Sequence, residues 1–469
     1  MNAIRWWGLA VVLALASAAR AEDEAHVTRL TAQPAGRPEP ALALRLYPAA
    51  RELKAGNAAG LYYRAIVLMQ MVDPPGQADA LAEHLSEPAT KLPRDQAQKT
   101  LAAYKNALAE IEIGARRQQA VWDIPIREQG VATQLPEMQE LRRAGRLLVL
   151  KARLEILQGN HGAAARTLAT TLRMSRQVAE SGPLISSLVG VACAQLALAE
   201  IENWIASDDA PNLYWALTEL PDPLIDMRAG IEAEQLWLEA EIPAPLLAAM
   251  QTSVLSRQQA DDLAKQLGEL FDMAGGDARG SLSAMLTPAG QLMLPALASY
   301  SQFKQELIAG GRPAELVEAM PVAQVLALRW IEAYRNLLDE SILWAARPYP
   351  EAKLGIAAFD KRLREVSASP AGLYARMLLP DVGAANRAQM RLTQKIAVLR
   401  AIEALRLHAA EHNGKLPASL AEVTAVPVPV DPATGGAFEY RLEGKTAILR
   451  PAKVADQFQY ELTIEPQAD

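Results

Sequence analysis

Apolar residues recur every three to four positions along most of this chain and every second position near its end, a pattern that predicts helices followed by strands. From about Gly383 to His412, Met390, Leu392, Ile396, Leu399, Ile402 and Leu405 alternate with Arg387, Arg391, Lys395 and Arg400, which gives a long helix with one core face and one solvated face. Asn413-Gly414 supplies a left-handed stop, and Pro417 forbids continuation. The period then shortens. Phe438, Tyr440 and Leu442 alternate with Glu439 and Arg441, Glu443-Gly444 makes a turn, Thr446 to Arg450 returns, and Phe458, Tyr460, Leu462 and Ile464 alternate with polar residues. This predicts a small antiparallel meander beside the helix.

Upstream, the clearest stretch runs from Arg142 to Ile205. It contains a helix to Gln158, a Gly159-Asn160 turn, a helix from Gly162 to Ala179, a Ser181-Gly182-Pro183 turn and a helix to Ile205. Ala152, Gly159, Ala164, Leu168 and Leu172 fall near the small and apolar positions of a tetratricopeptide-like hairpin, but no second copy occurs at a period of roughly 34 residues. Asn57 can cap a helix from Ala58 to about Met71, ended by Asp73-Pro-Pro-Gly76. A second helical block from about Ser256 is broken at Gly275-Gly276, Pro288, Gly310-Gly311 and Pro348 to Pro350, with Val322 to Ala346 as its main buried helix. The predicted fold class is therefore mainly α: an irregular helical-hairpin, TPR-like solenoid body with a small C-terminal α+β module of one long helix and an antiparallel meander.

The first residues differ from everything after them. Met1-Asn-Ala-Ile-Arg5, the apolar run Trp6 to Ala16 and Ala19-Arg20-Ala21 spell a secretory signal, and the run is shorter than the roughly 20 residues a bilayer span needs. The expected organisation is a signal peptide at 1–21, a flexible lead-in at 22–40 around Pro34, Pro38 and Pro40, a helical-hairpin domain at 41–255, a second helical block at 256–382 and the α+β module at 383–469. The product is expected to be exported, to the periplasm or the exterior, with no stable membrane span after cleavage. Leu184 to Leu198 is the most apolar later stretch, but Ser186, Ser187, Gln195 and the following Glu200 and Glu202 mark it as a buried helix.

The chain has 469 residues, 51% hydrophobic and 5% aromatic, enough for two or three cores rich in alanine and leucine. Its formal charge of −7 becomes −9 when Arg5 and Arg20 leave with the signal (−7 − 2 = −9), which argues against nucleic acid as a partner. Cys193 is the only cysteine, so no intrachain disulfide forms.

The segment Arg406-Leu-His-Ala-Ala-Glu-His-Asn-Gly-Lys-Leu-Pro-Ala-Ser-Leu420, followed by Val428-Pro-Val-Asp-Pro-Ala-Thr-Gly435 and Phe438-Glu-Tyr440, resembles the globular part of type II secretion pseudopilins. The resemblance begins at about Gly383 and implies a helix packed on a small sheet. A pseudopilin opens with the apolar helix that builds its filament, whereas here residues 22 to 382 come first. Some pseudopilins bind calcium in this loop region, but Asp431 is the only carboxylate in the matching loop, too few oxygen donors for a dedicated site. As a whole the chain is also similar to a set of bacterial exported proteins with a helical body and the same Gly-x-x-Pro-x-Ser-Leu to Asp-Pro-x-Thr-Gly tail, seen here from Gly414 to Gly435. That similarity implies architecture and no activity.

One catalytic spelling is sharp. His408-Ala-Ala-Glu411-His412 fits H-x-x-E-H, in which two histidines one helical turn apart ligate zinc and the glutamate activates a metal-bound water. The third ligand, a glutamate, must then come from Glu422, Glu439, Glu443, Glu461 or Glu465, all on predicted turns and strands, whereas the histidines also fit the last turn of a helix with nothing bound. Ser301-Gln-Phe-Lys304 spells S-x-x-K, but the companion Ser-Asp-Asn and Lys-Thr-Gly elements are absent. Cys193, among Val189, Val191, Ala192 and Leu196, reads as packing, and the scattered tryptophans read as core. The leading expectation is a noncatalytic exported scaffold or binding protein for a protein or peptide partner, with no cofactor. A zinc hydrolase using His408, Glu411 and His412, or an accessory of a secretion or pilus-like machine, are the alternatives.

Overall fold

The structure, a computed structural model, describes residues 26–72, 84–85, 87–130, 133–242, 244–274, 297–372, 375, 379, 381–454 and 458–465. The signal assignment at 1–21, the Asp73 to Gly76 stop and the breaks at Gly275-Gly276 and Pro288 lie outside the described residues. The chain is mainly helical. In chain order, the elements used below are strand β1 (His26–Ala32), β2 (Lys54–Asn57), helix α1 (Ala59–Val72), α2 (Lys105–Ala115), β3 (Arg117–Gln119), α3 (Pro136–Leu157), α4 (His161–Ala179), α5 (Leu184–Ile205), α6 (Ala244–Thr252), α7 (Arg257–Ala274), α8 (Tyr300–Ala309), α9 (Val322–Ala345), α10 (Tyr349–Ala368), α11 (Val382–Glu411), β4 (Glu439–Glu443), β5 (Thr446–Arg450) and β6 (Phe458–Ile464).

These elements form two compact units that do not follow the consecutive segments expected from sequence. The first takes the chain up to Trp122, Leu135–Gly230 and the chain from Ala384 onward; the second takes Asp123–Gln134 and Ile231–Gly383.

In the first unit, α3, α4 and α5 pack on one another as consecutive hairpins. Their crossings depend on small residues. At Gly190 an added Cβ would lie 2.5 Å from the Ser175 carbonyl oxygen and 2.8 Å from the Ala179 Cβ, so α4 and α5 touch backbone to backbone there. Leu168, Leu172, Leu198, Ile201 and Trp204 are removed from water, each side chain contributing about 1.5–3 kcal/mol. Helix α5 is long and apolar enough to cross a membrane, but it is packed against α3 and α4, and its buried Glu200 pairs with Arg153 of α3 at 2.8 Å. Asn57 caps α1 as expected: its Oδ1 accepts the Ala59 amide at 3.0 Å and also the Val121 amide at 2.8 Å, which fastens α1 to the chain after β3.

The sheet differs from the expected three-strand meander. β4, β5 and β6 are antiparallel, but β1 pairs in parallel with β6 over seven residues, from His26 opposite Phe458 to Ala32 opposite Ile464, giving the order β1-β6-β5-β4. The lead-in expected to be flexible is therefore an edge strand from His26 onward. Its alternation is real but short: Leu30 and Ala32 are buried and Arg29 and Thr31 exposed, matching buried Tyr460, Leu462 and Ile464 on β6. A parallel partner more than four hundred residues away leaves no local turn signal in the sequence. Ala50–Glu52 forms a single 3-10 turn, and the following Lys54–Asn57 pairs with β3.

The second unit is built on α9, whose Val325, Leu326, Trp330, Ile331, Tyr334 and Leu338 are buried. Around it pack α6, α7, α8 and α10. The Trp330 indole donates to the Pro370 carbonyl at 2.9 Å, and this holds the chain after α10 against α9.

Candidate functional site

Helix α11 carries the residues that sequence singled out, and its buried end is held by charge. Arg406 and Glu403 are both fully buried and 2.8 Å apart. The guanidinium also donates to the carbonyls of Gln33 at 2.9 Å and Ala210 at 2.8 Å, while Asn212 donates to the Glu403 carbonyl at 2.9 Å. Burial pushes the Glu403 carboxyl up, opposed by Arg406. This cluster ties the chain after β1 and the chain after α5 to α11.

One turn further on, His408 and His412 stack face to face with ring centroids 3.8 Å apart and planes 11° from parallel. A metal ion must lie close to both ring planes at about 2.0–2.1 Å from a nitrogen of each, and two near-parallel planes with this separation share no such point. The His412 Nδ1 also sits 2.7 Å from the His408 carbonyl oxygen. Among the described residues, no three His, Cys, Asp or Glu side chains are grouped to hold a metal ion. Burial and the neighbouring His412 push the His408 pKa down, so its neutral form is favoured.

Asp431, the one carboxylate between Val428 and Gly435, is buried and accepts three hydrogen bonds. They come from Gln394 Nε2 at 3.0 Å, the Ala433 amide at 2.8 Å and the Ala452 amide at 2.7 Å. Its oxygens organise the turn and its attachment to α11.

The other sequence candidates are placed apart from one another. Ser301 is exposed at the start of α8, and Lys304 donates to Glu318 at 2.8 Å, a bond that raises its pKa, the opposite of what a base for serine attack needs. Cys193 is fully buried on α5, and burial pushes its thiol up to about 12. Trp122, Trp204 and Trp330 are core residues.

What sequence reasoning missed lies in the second unit. A groove of about 520 Å³ runs along α9, between α8 and the end of α10. Phe303 of α8 and Leu337 of α9, both nearly inaccessible, form its floor with Val366 of α10. Near the start, Arg329 bonds Glu306 at 2.6 Å and Glu332 at 2.7 Å, and Glu332 in turn bonds Arg312 at 3.1 Å. At the far end, Arg362 of α10 pairs with Glu340 of α9. Between the two charged ends lie Ala333 and Asn336. The volume falls within the range of about 300–1,000 Å³ typical of ligand sites, and an apolar floor with a few polar groups is their usual chemistry. The sequence signal was present as Arg329, Asn336 and Glu340, polar residues at helical spacing that share one face of the helix with Ala333. Only packing shows that this face lines a trough.

Compared with known proteins, the chain matches no family model, no curated protein and no solved structure.

Proposed function

We propose that this is an exported, noncatalytic helical binding protein that engages a protein or peptide partner through the groove along α9. The observation that carries this reading is the groove itself: an apolar floor of Phe303, Leu337 and Val366 closed at both ends by Arg–Glu pairs, a lining suited to holding a chain segment. The signal-like segment 1–21 supports export. The α3 to α5 hairpins support an irregular TPR-like scaffold, and α11 with β4 to β6 supports the likeness to a pseudopilin globular module. The stacked histidines and the saturated Asp431 direct the reading away from hydrolysis and calcium binding and toward recognition.

A photoreactive amino acid placed at Ala333 in the protein expressed in cells tests the reading. The expected result is an adduct whose linked peptide maps to one short segment of a partner protein, while the same group at exposed Glu315 gives none. Equal labelling from both positions, or none from Ala333, contradicts it.

A further inference from the structure

We propose that the turn of the α9–α10 hairpin is a further contact surface, independent of the groove, that seats on a lipid bilayer carrying anionic headgroups. A connection between two helices is ordinarily built from polar, solvated residues. Here the chain from Leu343 to Pro350 reads Leu-Trp-Ala-Ala-Arg-Pro-Tyr-Pro, with Arg347 as its single charge. Ala346, Arg347, Pro348 and Pro350 are exposed, and Trp344 and Tyr349 are half-buried. Leu343 is 66% exposed and, across the turn, Leu354 is 83% exposed. Helices α9 and α10 pack on one another, and at Gly355 an added Cβ would lie 2.4 Å from the Trp344 ring. Leu343 and Leu354 each come one residue, about 100° of helix, before that contact on antiparallel helices, which places both on one face of the hairpin.

Shape and charge select the occupant. Apolar side chains on an exposed turn have no walls with which to hold a small ligand or a peptide, which bind in concave sites, whereas lipid closes around them. Tryptophan and tyrosine between leucines and cations are the composition of a bilayer interface, where the rings sit at the headgroups and long cationic side chains reach the phosphates. Arg347 and Lys353 are exposed and, among the described residues, neither makes an ion pair. The carboxylates nearby are Glu351, exposed between them, Asp339, one helical turn before Leu343 and so farther from the connection, and Glu340, which is paired with Arg362. The connection is therefore cationic on a chain whose formal charge is −7, and an anionic surface attracts it more strongly than the chain as a whole.

A fluorophore at the turn reads this directly. Cys193 is buried and its thiol is pushed up to about 12, so in Ala346→Cys the new exposed thiol alone takes an environment-sensitive label. The labelled full chain is mixed with vesicles of phosphatidylcholine, alone or with phosphatidylglycerol. The expected result is brighter, blue-shifted emission with the phosphatidylglycerol vesicles, and no change from the same label in Glu315→Cys, an exposed position of the same unit. Leu343→Ser with Leu354→Ser should weaken binding by more than about tenfold. Arg347→Gln and Lys353→Gln should each weaken it about fivefold, on the phosphatidylglycerol vesicles only. These four side chains are exposed, and unchanged thermal unfolding of the variants shows that the fold is intact. No response to either vesicle, an equal response to both, an equal response from both labels, or a response that the serine pair leaves undiminished overturns the proposal. A shift that grows with protein concentration in the absence of vesicles assigns the turn to a contact between copies of the chain and overturns it as well.

Discussion

The buried charges of the first unit show how single residues fix distant chain segments. Arg406 on α11 serves Glu403 and two carbonyls at Gln33 and Ala210, so Arg406→Met removes a charge partner and leaves a carboxyl and two carbonyls unpaired in the interior. The expected loss is about 3–5 kcal/mol in urea unfolding, far above an exposed pair such as Arg29 with Glu461, where Arg29→Ala is expected to cost under about 1 kcal/mol. The stacked histidines make a pH prediction. His408 faces His412, Glu411 and Glu422, and its pKa in the folded chain is lowered. The stabilisation from this group is therefore complete above the unfolded value of about 6.5 and is lost as pH falls below it. Unfolding free energy followed from pH 7 to pH 5 should decline, and the decline should be shallower in His408→Gln; an identical slope in both proteins contradicts the assignment. The spacing of His408, Glu411 and His412 was legible in the sequence, but ring orientation was not, because it is decided by rotamers at the end of α11.

At the scale of elements, the helices were legible because each carries its own apolar stripe and its own punctuation. Asn57 caps α1, and Asn413 and Gly414 take positive φ at the end of α11, as their residue types imply. Strand β1 was not legible, because seven residues rich in turn-neutral types gain their meaning only beside β6. Leu30→Ala should cost about 2–5 kcal/mol if β1 is part of the core, a result that calorimetry or urea unfolding can read. The helix crossing at Gly190 makes a sharper comparison. Gly190→Ala presses a methyl group onto the Ser175 carbonyl and should cost about 1–3 kcal/mol, whereas Gly162→Ala in the first turn of α4 meets only the tip of Arg166 at 3.7 Å and should be neutral or slightly stabilising.

For the whole molecule, the order of segments along the chain conceals the order of packing. The expected boundaries at 255 and 382 divide the chain into consecutive segments, but the compact units are assembled from pieces that the chain leaves and rejoins, with the strand after residue 25 completed by β6 near the other end. Hydrogen exchange on Leu30→Ala should therefore show lost protection across α3 to α5 and α11, with α9 unchanged; loss confined to β1 and β6 contradicts one cooperative first unit. The groove along α9 was legible only as polar residues at helical spacing, since its depth depends on where α8 and α10 settle. Replacing Ala333 by tryptophan places a bulky ring in that groove between its two charged ends. The partner adduct formed in cells by a photoreactive amino acid at Asn336, compared between the Ala333→Trp variant and the otherwise wild-type chain, should fall by more than about tenfold while the unfolding temperature holds; an undiminished adduct with the groove filled contradicts recognition along α9.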